Sequence, residues 1–318
     1  MTLRNSYSTL QQYTDYLRLI SMLNLRPRQL LLLSLLAAFV TMALKTLAWY
    51  ITGSVGFLSD AIESVVNVAG AGFALFMVTL ARRPADDSHP YGHSKAEYLS
   101  AAFEGGMILL AAFAICITAI ERLINPQPIS TLGIGTAFTV LASLINLAIA
   151  LLLLRGGKQH NSPALEGDGK HLMTDVWTTV GVIIGVALAA VSGYSWLDPL
   201  VAIAVALHIV YEGYGILFRA ANGLMDKALP DEDIAKIEQT LAAIGGPEVS
   251  FIHLRTRAAA TLQFAQTDMQ VPAHWTVEKA HKLADEAEIA LLQLGIELVV
   301  HVEPKELANG VTAYKVPT

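Results

Sequence analysis

Six stretches of this chain are apolar for long enough to cross a lipid bilayer, at residues 30–51, 55–80, 98–124, 131–154, 164–191 and 197–217. A helix spanning the hydrocarbon core needs about 20 mostly apolar residues. Backbone polar groups in lipid must be satisfied within the segment, so such runs fold as helices. Charged residues make up only 15% of the chain, against about 25% in ordinary soluble proteins. The expected membrane part is therefore an all-α domain of six transmembrane helices over residues 30–220, preceded by a polar N-terminal segment over residues 1–29.

Orientation follows from lysine and arginine in the links. The N-terminal segment carries Arg4, Arg18, Arg26 and Arg28 and does not read as a cleaved signal peptide. The link after the second run has Arg82, Arg83 and Lys95, and the link after the fourth has Arg155, Lys158 and Lys170. The links at 52–54, 125–130 and 192–196 have neither residue type. Six spans with both termini in the cytoplasm are expected. The single cysteine, Cys116, lies in the third run, which excludes a disulfide framework and a cysteine-rich zinc site.

The remainder, residues 221–318, loses the apolar runs and reads as a soluble domain. Residues 226–318 hold 14 acidic and 8 basic side chains, so the chain's whole net charge of −6 falls there. An acidic tail argues against nucleic acid as a partner. "DEDIAKIEQTLAAI" and "TVEKAHKLADEAEIALLQL" have helical periodicity, while "VSFIHLRTR", "LQFAQTDMQV" and "IELVVHVEP" read as strands. The order helix, strand, strand, helix, strand predicts a small α+β sandwich.

Ionisable groups inside a membrane are costly, so each is a functional hypothesis. The second run contains "SDAIESVVN", which places Glu63 and Asn67 four apart on one face, with Asp60 three residues before Glu63. The fifth run contains "HLMTD", which places His171 and Asp175 four apart after the polar stretch "EGDGK". One such pair alone reads equally well as a capping or packing feature. Two pairs on two helices can converge on one divalent transition metal with four ligands. Lys45 is expected to snorkel or pair, and Glu104 to act in helix packing or along a pathway. In the link after the second run, "RPADDSHPYGH" puts Asp86, His89 and His93 within eight residues, around a turn at Pro90 and Gly92. A carboxylate and two imidazoles plus water resemble an open zinc-type site. The tail adds His253, Asp268, His274, His281, His301 and Glu303, with His301 and Glu303 on one strand face.

The segments "WYITGSVGFLSDAIESVVN", "RPADDSHPYGHSKAEYLSA", "HLMTDVWTTVGV", "LMDKALPDED", "IHLRTR" and "HVEP" occur in an order and spacing that resemble the cation diffusion facilitator family, in particular its bacterial iron/zinc exporter branch. The resemblance covers nearly the whole chain. It implies a six-helix exporter of the inner membrane with a cytoplasmic ferredoxin-like tail, working as a homodimer that exchanges divalent metal for protons. It implies a transport site at Glu63, Asn67, His171 and Asp175, with Asp60 as an alternative ligand. Glu63 and Asn67 depart from the family's usual Asp/Asp or His/Asp pair. Zinc comes first as substrate, but an amide oxygen is a neutral, weaker donor and such a mixed site does not select zinc strongly, so Fe²⁺, Mn²⁺, Co²⁺ and Cd²⁺ stay open. The resemblance further implies a second metal site at Asp86, His89 and His93, a tail site at His253, Asp268, His281, His301 and Glu303, and a dimer-stabilising ion pair between Lys95 and Asp226. In the tail, Asp268 stands where close relatives have histidine.

On this reading the chain is a transporter and no enzyme, with divalent metal as substrate and regulator and no organic cofactor. An intramembrane metalloprotease would need a stretch such as H-E-x-x-H, and the chain has none. A passive cation channel and a membrane metal sensor that binds without transporting are the competing classes.

Overall fold

The computed structural model describes residues 25–52, 55–125, 134–194 and 196–305. The N-terminal segment before residue 25, most of the links expected at 52–54 and 125–130, and the last residues of the tail lie outside them.

Six helices are long and apolar enough to cross a membrane. They are α1 (Pro27–Thr52), α2 (Val55–Ala81), α3 (Ala96–Ile124), α4 (Ile134–His160), α5 (Pro163–Ser192) and α6 (Leu197–Leu224). Two of them run past the apolar stretch that announces them. α4 continues beyond 154 to His160, because nothing breaks the helix before Asn161, which adopts a left-handed φ of 49°. α6 continues beyond 217, held to α5 by Arg219 donating to Glu166 at 3.0 Å and Lys170 donating to Glu212 at 2.7 Å. α5 begins at Pro163, with the Ser162 hydroxyl accepting from the Leu165 N–H, so the polar "EGDGK" stretch is already helical.

The helices form two packed groups. α1, α2, α4 and α5 share a core that includes Leu31, Val78, Leu153 and Leu165. α3 and α6 form a close pair around Ile108, Ala112, Ile209 and Ile216. Their approach depends on small residues, as is usual where lipid removes any hydrophobic drive between helices. A Cβ on Gly105 would lie 3.1 Å from the Leu217 nitrogen, and one on Gly213 would lie 2.9 Å from the Ile108 side chain. α5 touches both groups, which places its polar face at the centre of the bundle.

The C-terminal domain comprises α7 (Asp231–Gly245), β1 (Ser250–Ala259), β2 (Leu262–Val271), α8 (Val277–Gln293) and β3 (Ile296–Pro304). Three acids in the first turn of α7 complement its dipole, and Thr276 caps α8 by accepting from the Lys279 N–H. β1 and β2 are antiparallel, β2 and β3 parallel, in the order β1-β2-β3, with α8 as the crossover. Ile237 and Leu241 of α7 and Ala287 and Leu291 of α8 cover one sheet face, meeting Ala265 and Leu298. This is the predicted architecture: an all-α six-helix transmembrane domain followed by an α+β ferredoxin-like domain.

Candidate metal-binding sites

The α5 pair and half of the α2 pair meet inside the bundle. Asn67, 6% exposed, donates its amide to Asp175 Oδ2 at 2.6 Å, and its Oδ1 lies 3.0 Å from His171 Nε2. A carboxylate accepts only, so the amide nitrogen must face Asp175 and the amide oxygen must take the proton on His171 Nε2. Glu63, one turn before Asn67, is exposed on this single chain. It makes no side-chain hydrogen bond or ion pair with the described residues, yet it lies within electrostatic reach of Asp175, Lys45, Asp60 and His171. Asp60 is half-buried, within reach of Lys45 and Asp175. Lys45 is buried on α1 within electrostatic reach of both acids, so its ammonium does not snorkel out to the interface.

Three buried groups around this network have no counterpart in the sequence-derived ligand set. Glu104 on α3, 1% exposed, brings Oε2 to 3.5 Å from His171 Nδ1. Gly70 leaves it room, since a Cβ there would lie 3.0 Å from Glu104 Oε1. Asn146 on α4 donates to the same Asp175 Oδ2 at 3.1 Å. Asp168 is buried on α5, three residues before His171. Asn146 did carry a signal, as the one amide in an otherwise apolar stretch of its span. Asp168 carried little, because it stands among polar neighbours.

In the link between α2 and α3, the ligand atoms of Asp86, His89 and His93 lie within 4.8 Å of one another. Among the described residues no other three His, Cys, Asp or Glu side chains do so. Asp86 organises the loop: its Oδ1 accepts from the Ser88 hydroxyl at 2.8 Å, the His89 N–H at 2.7 Å and the Ser88 N–H at 3.0 Å. These bonds hold its carboxyl down to about 2, with the Ser88 hydroxyl as the largest cause. The turn runs through Pro90 to Gly92, whose N–H returns to the His89 carbonyl at 2.9 Å and whose φ is +77°. It stacks the two imidazoles with centroids 4.3 Å apart and leaves His93 Nε2 3.5 Å from Asp86 Oδ2.

The tail residues are only partly gathered. A β-bulge between Ile252 and Arg255, with His253 at φ +53°, turns His253 towards Asp268 at 2.9 Å. Asp268 is in register with His301, and His301 lies 3.6 Å from Glu303. His281 stays on α8, 3.6 Å from Asp285, and His274 is exposed before that helix. Lys95 and Asp226 meet at 2.8 Å within the chain, tying the start of α3 to the residues after α6. Arg257 of β1 reaches the same carboxylate at 3.4 Å and stacks on Phe264 and on Tyr91, the residue between the loop histidines. Lys95 is the largest cause of the lowering of the Asp226 carboxyl below its usual range.

A six-helix membrane bundle with a buried imidazole–carboxylate–amide network, and a histidine–aspartate cluster on an adjoining loop, defines a membrane protein that handles metal cations. Family comparison agrees: the model of the cation efflux transmembrane domain matches residues 31–225, and that of the cytoplasmic domain of cation efflux proteins matches residues 229–305. A Synechocystis protein named uncharacterized transporter sll1263 is 44% identical over 86% of this chain and 89% of its own. The cation-efflux pump FieF of Klebsiella pneumoniae is 30% identical over 85% of this chain and 90% of its own. A solved structure of the putative zinc transporter CzrB matches 24% of this chain and 98% of its own at 34% identity, with a TM-score of 0.24, too low to bear on the fold. The chain belongs to the cation efflux, or cation diffusion facilitator, family. It is a metal-cation efflux transporter embedded in a membrane, and not an enzyme.

Proposed function

We propose that this transporter exports divalent transition metals from the cytoplasm in exchange for protons, as a homodimer in the inner membrane with both termini cytoplasmic. The cargo binds at Glu63, Asn67, His171 and Asp175. The observation that carries this reading is the contact of Asn67 with both His171 Nε2 and Asp175 Oδ2. A proton on Nε2 donating to Asn67 and a metal ion on Nε2 exclude each other. With Nδ1 also protonated towards the Glu104 carboxylate, loading the site releases the Nε2 proton and leaves a neutral imidazole for the metal, which is the chemistry of exchange. Unloading on the far side reverses it, as a proton returns to the imidazole and the metal leaves. Zinc suits an imidazole-containing site best, and Fe²⁺, Mn²⁺, Co²⁺ and Cd²⁺ remain open because the site includes a neutral amide oxygen. Asp86, His89 and His93 hold a second metal that orders the loop between α2 and α3. His253, Asp268, His281, His301 and Glu303 supply tail ligands, with the homodimer completing what one chain leaves apart.

The test is metal uptake into inside-out vesicles with lumenal pH recorded, for wild type and Asp175→Ala. Metal-driven proton release that disappears in the variant is the expected result. Uptake that ignores the pH gradient points to a channel, and binding without uptake to a sensor. Proton-coupled flux that survives Asp175→Ala overturns the site assignment.

A further inference from the structure

Between Ile134 and Leu154, α4 carries one strongly polar side chain, Asn146. It is 2% exposed, so its amide sits at the centre of the bundle with no water to satisfy it. Its nitrogen donates to Asp175 Oδ2 at 3.1 Å, and its oxygen is buried with no hydrogen-bond partner among the described residues. Asn67 donates to the same oxygen at 2.6 Å, so the two amides occupy both lone pairs of Oδ2. Two amide N–H donors from two helices converge on one carboxylate oxygen, which is where a cation bound to that oxygen would sit. Their partial positive charge is directed at the place a cation on that oxygen would occupy. A half turn about the Cβ–Cγ bond exchanges Nδ2 and Oδ1, so an amide that donates to Asp175 can instead offer its oxygen to an ion bound there.

We infer that Asn146 is a further ligand of the transported cation, contributing a neutral oxygen from α4, and that it helps to determine which cation is carried. The inference rests on the transport-site reading above and deepens it. The shell then draws on α2, α4 and α5 and holds two amide oxygens, two carboxylates and one imidazole. Five donors, mostly oxygen, suit ions that accept five or six ligands, such as Mn²⁺, Fe²⁺ and Co²⁺. A tetrahedral ion such as Zn²⁺ has no use for the fifth donor. Asn146 therefore narrows the preference for zinc that the other four ligands would give.

Affinity alone does not test this, since even a residue that merely supports a ligand changes metal affinity about 10–100-fold when replaced. Coordination number does. Full-length protein with Asp86, His89 and His93 replaced by alanine is loaded with Co²⁺, and the part of the visible spectrum lost on Asp175→Ala is assigned to the transport site. With Asn146 present that component should show the weak bands of five- or six-coordinate cobalt. Asn146→Leu, which keeps the γ-branched shape and removes both polar atoms, should convert it to the intense bands of a tetrahedral site. It should also raise the ratio of Zn²⁺ to Mn²⁺ uptake in vesicles, on the order of tenfold, a change in selectivity and not only in affinity. Should Asn146→Leu not fold, Asn146→Asp keeps an oxygen donor of nearly the same size. It should retain the weak bands and bind cobalt more tightly. Unchanged bands and an unchanged zinc-to-manganese ratio in Asn146→Leu, or no tighter cobalt binding in Asn146→Asp, overturn the inference and leave the transport site standing. A cobalt spectrum indifferent to Asp175→Ala would instead overturn the transport-site reading, and this inference with it.

Discussion

Replacing Asn67 by aspartate converts a short, buried contact in the bundle from attraction to repulsion. The amide nitrogen now sits 2.6 Å from Asp175 Oδ2. Two charged carboxylate oxygens at that separation would repel by ~6 kcal/mol at an effective dielectric constant of about 20. Either a proton shared between them or a bound M²⁺ relieves the repulsion. If binding a metal recovers about a third of it, ~2 kcal/mol, the apparent affinity rises roughly thirtyfold where protons are scarce, at about 1.4 kcal/mol per factor of ten. Because protons compete for the same place, the gain should shrink as pH falls, giving a steeper pH dependence than the wild type. The assay is uptake of Zn²⁺, Fe²⁺, Mn²⁺, Co²⁺ and Cd²⁺ into inside-out vesicles across several pH values. Zinc should gain most, since an added anionic ligand leaves less need for further neutral donors. If affinity, metal ranking and pH slope all match wild type, Asn67 lies outside the ligand shell, and Asp60 becomes the next ligand to test.

Three further outcomes follow from other parts of the structure. Asp86 is held down to about 2, so its charge is lost only as pH falls through that value. Any loss of loop-bound metal between about pH 5 and 7 must then come from protons competing for the imidazoles. Asp86→Asn should weaken zinc binding about tenfold without moving the pH midpoint, read by zinc titration in an Asp175→Ala background. The Lys95–Asp226 pair is half-exposed, and such pairs are worth about 0–1 kcal/mol. Asp226 has a lowered carboxyl, so the stabilisation is present above the ordinary aspartate value of about 3.9 and fades as pH falls below it. Lys95→Ala should lower thermal stability slightly at neutral pH, the difference vanishing in high salt, and a loss above ~3 kcal/mol would contradict this. At the α3–α6 contact, Gly213→Ala should cost ~1–3 kcal/mol by overpacking against Ile108 and Leu109. Gly72→Ala, with nothing within 4 Å of the added Cβ, should melt like wild type.

What could be read from the sequence, and what could not, divides along one physical line. Periodicity reports which face of an element a residue occupies. It is silent about what stands opposite. Asn67, His171 and Asp175 were found because i, i+4 spacing puts each pair on one face, and the loop cluster because its residues are close in sequence and Pro90 and Gly92 supply a turn. Glu104 was noticed, but its approach to His171 depends on a third helix and on the space left by Gly70. At helical spacing Asn146 has only the hydroxyl of Ser143 beside it and no imidazole or carboxylate, so a search for ligand pairs passes over it. Only the buried cost of a lone amide marks it. In β1, strict alternation from Phe251 would turn His253 towards the core. The bulge, made by a left-handed residue that no pattern rule anticipates at histidine, sends it instead to Asp268 and lets Leu254 take the core position. Glu63 shows the limit from the other side. Its spacing puts it four residues from Asn67, yet its side chain is exposed and makes no side-chain hydrogen bond or ion pair with the described residues, because spacing fixes the face and not the partner.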